Sequence, residues 1–139
     1  KMTGEYTIAV HALIYLNHMG TMLSSEKMAS NICTNPARVR KVLAKLKRAG
    51  LVETREGSEG GYRFQKDPHQ VTLRQVAEAV ETTFVECSWH SGGEDIKCQV
   101  ASGMAGVMDD ICSQLNGICL DRLEQVTIAQ IEERLFHNQ

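Results

Sequence analysis

A chain of 139 residues with 42% hydrophobic content can bury one ordinary core and carry an appended element, but not two full domains. Its formal net charge of −2 argues against indiscriminate nucleic-acid binding, and five cysteines at irregular spacing argue against a secreted disulfide framework. No apolar run approaches the roughly 18 residues that a bilayer span needs, and the first residues lack a charged-then-apolar signal pattern, so a cytoplasmic protein with no membrane partner is expected.

The predicted elements follow in chain order. Over residues 5–19, Tyr6, Ile8, Ala9, Leu13 and Leu16 recur at helical spacing and Gly20 supplies the stop, which predicts a core helix. Ser24 then caps a short helix through about Ile32. In the stretch TNPARVRKVLAKLKRAG, Thr34 or Asn35 caps a third helix, Pro36 takes the first position, where its missing N–H costs nothing, and Gly50 ends it. Val39, Val42, Leu43 and Leu46 form one apolar stripe on that helix, while Arg38, Arg40, Lys41, Lys45, Lys47 and Arg48 project elsewhere. A short helix followed by a basic one suits a helix-turn-helix. The basic character is local: residues 34–66 hold nine Lys/Arg against three Asp/Glu, whereas residues 67–139 hold four against twelve. Such a block attracts a polyanion where the chain as a whole does not.

LVETR and YRFQ alternate apolar and polar residues on either side of EGSEGGYRF, which predicts a hairpin. A phosphate-binding loop would place its glycines before a helix, and here a strand follows instead. Gly57, Gly60 and Gly61 supply positive φ angles and close backbone approach, either in a plain structural hairpin or in a wing laid against a nucleic-acid backbone. Farther on, Val100, Met104, Val107, Met108, Ile111, Leu115, Ile118 and Leu123 repeat every three or four residues, predicting a long helix over Gln99–Leu123 that needs a partner for its apolar side. Asp109 and Asp110 are expected on its outer face. Cys112 and Cys119 fall seven apart on one face beside Ile111, Leu115 and Ile118, as packing residues would.

The segments YTIAVHALIYL, SSEKMASNICTNPARVRKVLAKLKRAGLV, GSEGGYRF and VTLRQVAEAVE together resemble the Rrf-two family of bacterial winged-helix transcription regulators, closely over residues 6–81. The resemblance implies a mostly α fold with a small β-hairpin wing, a winged helix-turn-helix domain over residues 1–81, a connecting and sensing loop over 82–98, and a dimerisation helix with a closing helix near VTIAQIEERL over 99–139. It also implies a homodimer on double-stranded promoter DNA. Two departures stand out. Many members carry an arginine just before the first wing glycine, where this chain has Glu56, with Glu59 at the tip; a carboxylate there is repelled by phosphate. Cluster-carrying members have three closely spaced cysteines, where this loop offers only Cys87 and Cys98.

The expected base-reading residues are Asn35, Pro36, Ala37, Arg38, Arg40 and Lys41, with Lys45 and Arg48 on phosphates. Ser24 and Ser25 are expected to add backbone contacts, and Arg55, Gly60, Gly61, Tyr62 and Arg63 form the wing surface. No catalytic set, no metal-ligand spacing such as CxxC and no cofactor motif is present, so an enzyme is not expected. Cys98, Cys33 and Cys87 are the candidate sensing thiols. Cys98 closes a Gly-rich loop beside Lys97 at a helix start, where the dipole favours a thiolate, and Cys33 precedes the recognition helix. A disulfide between Cys33 and Cys98 across a dimer would tether the reading head, provided their Cα atoms approach within about 7 Å. The function expected is therefore a repressor released by oxidation or modification of a thiol. An iron–sulfur-dependent regulator and a protein-interaction adaptor that has lost DNA binding are the alternatives.

Overall fold

The computed structural model describes residues 2–137. Six helices and one two-stranded antiparallel hairpin follow in the order α1 (Gly4–Met19), α2 (Ser25–Ile32), α3 (Pro36–Arg48), β1 (Glu53–Arg55), β2 (Gly61–Arg63), α4 (Leu73–Ala79), α5 (Gln99–Leu123) and α6 (Ile128–His137). The first four helix starts share one device. The side-chain oxygens of Thr3, Ser24, Asn35 and Thr72 each accept a hydrogen bond from a backbone N–H three residues on, satisfying a donor that the helix leaves unpaired.

Helix α1 is apolar on more than one face because it is packed from more than one side. Tyr6, Ile8, Ala9, Ala12, Leu13, Ile14 and Leu16 are all buried, between α2, α3 and α4 on one side and α6 on the other. The Tyr6 hydroxyl donates to the Leu73 carbonyl at 3.1 Å, and its ring meets Phe84 edge-on at 5.2 Å. Burial pushes the Tyr6 phenol up to about 12. Met28 from α2, the stripe of Val39, Val42, Leu43 and Leu46 from α3, and Val76 from α4 complete the centre of the core.

The last helix returns to this core. Ile128, at the start of α6, is fully buried. Two matching sequences, TLRQ and TIAQ, explain how it gets there. In each the threonine hydroxyl accepts from the glutamine N–H three residues later, while the glutamine side chain accepts from the threonine N–H, at 3.2 and 2.8 Å for Thr72 and Gln75 and at 3.1 and 3.0 Å for Thr127 and Gln130. The two boxes lie side by side, for Leu73 N–H donates to the Val126 carbonyl at 2.8 Å and Ile128 N–H to the Val71 carbonyl at 3.0 Å.

Between those paired starts the chain makes an excursion. Residues 82–98 run alongside α5 in the opposite direction, touching it in succession. Phe84 and Val85 N–H donate to the Asn116 side chain at 2.9 and 2.7 Å, Cys87 meets Cys112, His90 meets Asp109, and Gly93 N–H donates to the Ala101 carbonyl at 2.9 Å. Gly92 lies so close to that carbonyl, at φ +70°, that a Cβ would collide with it. Helix α5 itself has no buried residue, and Val100, Val107, Ile111, Leu115 and Ile118 are exposed. Its base is held to α4 by Arg74, whose guanidinium reaches Glu124 at 2.8 Å and Asp121 at 3.2 Å.

Candidate nucleic-acid interface and cysteine sites

The basic third helix presents its charges as its sequence pattern requires. With the apolar stripe of α3 wholly buried, Ala37, Arg38, Arg40, Lys41, Lys47 and Arg48 are exposed. Asn35 caps the helix, accepting from Arg38 N–H at 2.8 Å, and Pro36 stands at its first turn. Arg40 is positioned rather than free: its guanidinium donates to the Ser25 hydroxyl at 3.2 Å and lies 3.6 Å from the Glu26 carboxylate. Arg38 lies over the start of α1 at Gly4, where a side chain would meet its guanidinium.

Two of the residues expected at a backbone contact have other partners. Ser25 is buried, and its hydroxyl serves Arg40 and Glu26, so of the serine pair only Ser24 is exposed. Lys45 is turned inward to Glu5 at 2.6 Å, both side chains being mostly covered, and so ties α3 to α1. Arg48 remains exposed at the end of the helix.

The wing is a hairpin with Glu53 opposite Arg63, Thr54 opposite Tyr62 and Arg55 opposite Gly61. Leu23 adds a third, single-residue rung, exchanging hydrogen bonds with Tyr62 at 2.9 and 2.8 Å. That rung explains Gly61: at φ +139° its Cα faces the Leu23 carbonyl, leaving no room for a Cβ. Arg55 is exposed and Arg63 half-buried, while Glu56 and Glu59 are exposed at the tip.

The three candidate sensing thiols have different surroundings. Cys98 is exposed and sits at the N-cap of α5. The nearby backbone N–H groups of Ala101, then of Val100, at the start of α5 hold its pKa below the usual thiol value. Cys33 is exposed at the left-handed C-cap of α2, φ 65°, three residues before Pro36 of α3, with Thr34 and Asn35 between. Cys87 is half-buried and its sulfur lies 2.8 Å from that of Cys112. The hydrogen bond with Cys112, then burial, then the negative charge of Cys112 and Asp109 push the Cys87 thiol up to about 11.

Cys112, whose spacing reads as that of a packing residue, instead meets Cys87, and that contact is what sequence reasoning missed. Asp109, Cys112 and Asn116 share one face of α5 by their spacing of three and four, and that spacing was the available signal. What no spacing reveals is that residues 84–93 fold back along that face. Trp89, in the same segment, is 79% exposed.

A helix-turn-helix followed by a two-stranded wing defines the class: a winged helix-turn-helix domain with an added long helix. Residues 2–134 match the family described as "Rrf2: Iron-dependent Transcriptional regulator", and the chain belongs to that family of transcriptional regulators. It is 26% identical over 135 residues to the HTH-type transcriptional regulator YwnA of Bacillus subtilis (strain 168), covering 97% of this chain and 99% of that one. Among solved structures, a transcriptional regulator from Lactobacillus plantarum superposes with a TM-score of 0.87 at 19% identity, over 98% of this chain and 92% of that one. The structure titled T. potens IscR superposes with a TM-score of 0.74 at 16% identity, over 100% and 90%. The first two of these proteins are named as regulators, not enzymes, and among the described residues no helix is long and apolar enough to cross a membrane.

The family description names iron, and the donor set can be tested against it. A cysteine-held iron–sulfur cluster needs three or four thiolates converging on one small volume. Among the described residues, the one group of three or more possible ligands is Cys87, His90 and Asp109, which contains a single thiol. Cys112 adds a second through Cys87, whereas Cys98 belongs to the start of α5 and Cys33 to the end of α2. One chain therefore does not offer the thiols that a cysteine-ligated cluster requires.

Proposed function

We propose that the protein acts as a homodimeric repressor that binds promoter DNA through α3 and the wing, and that modification of Cys98 releases it. The observation that carries the DNA-binding reading is α3 itself, with one face sunk completely in the core and Arg38, Arg40, Lys41 and Arg48 exposed on the other. In this reading Asn35, Pro36, Ala37, Arg38, Arg40 and Lys41 face base edges, Arg48 and Ser24 face phosphates, and Arg55, Tyr62 and Arg63 form the adjoining wing surface. The exposed apolar side of α5 supports the dimer, since Val107, Ile111, Leu115 and Ile118 lie bare in the single chain.

Cys98 suits the switch because it is exposed, its thiolate is favoured, and it starts the helix on which the dimer depends. Attack of that thiolate on a peroxide gives a sulfenic acid and releases hydroxide, and Cys33 of the second subunit is the candidate to condense with it as a disulfide, releasing water. Fluorescence titration of the reduced protein against genomic promoter fragments over a range of salt tests the first part. Steep loss of affinity with salt and loss after one equivalent of peroxide are expected. An oxidant response unchanged in Cys98→Ser refutes the switch, and affinity insensitive to salt refutes the DNA interface. The exposed carboxylates of Glu56 and Glu59 favour a variant of this reading, in which the wing stands clear of DNA and α3 alone makes the contact.

A further inference from the structure

We propose that Cys87, His90, Asp109 and Cys112 form a binding site for a single divalent transition-metal ion of the zinc or iron(II) class, which pins the loop of residues 82–98 to α5. The site is separate from Cys98 and from the DNA-facing residues, and it does not depend on either.

The donor atoms are already gathered. The sulfur of Cys87, a ring nitrogen of His90 and a carboxylate oxygen of Asp109 all lie within 4.8 Å of one another. His90 Nε2 is 2.8 Å from Asp109 Oδ1, and Cys112 Sγ is 2.8 Å from Cys87 Sγ. Two Cys, one His and one Asp are donors that suit a borderline-soft ion, whereas magnesium and calcium take oxygen ligands only. In a tetrahedral site with metal–sulfur bonds of about 2.3 Å and metal–nitrogen or –oxygen bonds of about 2.0–2.2 Å, donor atoms stand about 3.3–3.8 Å apart. The three-donor group brackets that spacing, and Cys112, one turn along the same face from Asp109, needs only a side-chain adjustment to complete it.

The surroundings support a built site. Asn116, one further turn along α5, receives the N–H groups of Phe84 and Val85, so the backbone leading into Cys87 is fixed against the helix before any ion arrives. On the other side, a cavity of about 500 Å³ bounded by His90, Gly92, Gly93, Gly106 and Asp109 gives an ion access to the donors. A bound divalent ion takes both sulfurs as thiolates, and the two thiol protons leave to solvent.

The test uses the full chain, stripped of metal by a chelator, kept under a phosphine reductant and titrated with cobalt(II). The expected result is one equivalent bound, with the intense visible bands of tetrahedral cobalt and thiolate-to-cobalt charge transfer, bleached by one equivalent of zinc(II); iron(II) added anaerobically competes for the same site. Cys87→Ser and His90→Ala each weaken binding by at least about tenfold, the lower limit seen when even an outer partner of a metal site is lost. Cys98→Ser and Cys33→Ser bind as the parent does, which separates this outcome from failure of the proposed thiol switch. The inference is overturned by weak octahedral cobalt spectra without charge transfer, or by parent-like binding in Cys87→Ser. It is equally overturned if anaerobically purified protein carries iron with inorganic sulfide that is lost in Cys98→Ser, or if the reduced protein binds no ion and Cys87 and Cys112 form only a disulfide on oxidation. Circular dichroism confirms that each variant is folded, and Asp109→Asn provides a further variant that removes ligand charge without changing shape.

Discussion

At the residue scale, the cysteines differ through what surrounds each sulfur. A lowered pKa leaves a larger thiolate fraction at neutral pH, and a raised one a smaller fraction. Alkylation of the metal-free protein with iodoacetamide near pH 7, followed by peptide mass spectrometry, should therefore modify Cys98 faster than Cys87. As pH rises, the Cys98 rate should level off below the pH at which an ordinary thiol does, whereas the Cys87 rate should still be climbing. The reverse order would show that the N–H groups of Ala101 and Val100 do not hold the thiolate. Arg40 and Lys45 separate in the same manner. Arg40→Ala should weaken specific DNA binding by about 1–3 kcal/mol if the side chain reads a base edge. Lys45→Ala should instead cost about 0.5–1 kcal/mol of folding stability through the lost Glu5 pair, measurable by urea titration. The sequence made the cap at Asn35 and the exposed cations of α3 legible because both depend on neighbours a few positions away. It did not make legible that Lys45 would turn to Glu5 or Cys87 to Cys112, since those partners come from distant parts of the chain.

At the element scale, the segment of residues 82–98 owes its course to α5 rather than to any propensity of its own. Its latch is Asn116, whose amide serves Phe84 and Val85 and donates to the Val85 carbonyl. Asn116→Ala leaves those backbone groups without their partner and should cost about 1–3 kcal/mol. Hydrogen exchange would show it as faster exchange at Phe84 and Val85 with the amides of α1 unchanged. Uniform acceleration across the chain would mean that the segment is part of the core and not a separately held leg. On the exposed side of α5, Leu115→Asp should abolish the dimer in light scattering, because it places a charge at the proposed seam. The bounds of this helix, Gln99 to Leu123, were predictable from its apolar repeat alone. The pairing of TLRQ with TIAQ was not, although both segments stood in plain view: a capping box declares where a helix starts, and nothing in it declares which other start lies beside it.

At the scale of the whole molecule, the C-terminal helix is a structural member of the winged-helix domain. Ile128 has no exposed surface and belongs to the same core as Leu13, Met28 and Leu43. Ile128→Ala should destabilise the whole domain by about 2–5 kcal/mol in a single cooperative denaturant transition. If α6 melted separately with the rest intact, the core would end at α4. The charge asymmetry acts at this scale too, because Arg38, Arg40, Lys41, Lys47 and Arg48 are exposed on α3 while twelve of the seventeen acidic residues lie in residues 67–139.

The side-by-side starts of α4 and α6 have a consequence for how such a protein can change over generations. Because the chain leaves the domain after α4 and re-enters it at α6, whose starts lie side by side, residues 82–123 form a two-legged arm, one leg the loop and the other α5, about 37 Å long at 1.5 Å per residue. Equal lengthening of both legs beyond Val85 and Cys119, the last residues on each that pack against the core, moves the far end outward and leaves that packing in place. In the proposed dimer, the distance between the two recognition helices, and so the operator spacing they would fit, is then free to drift while the exposed face of α3 stays as it is.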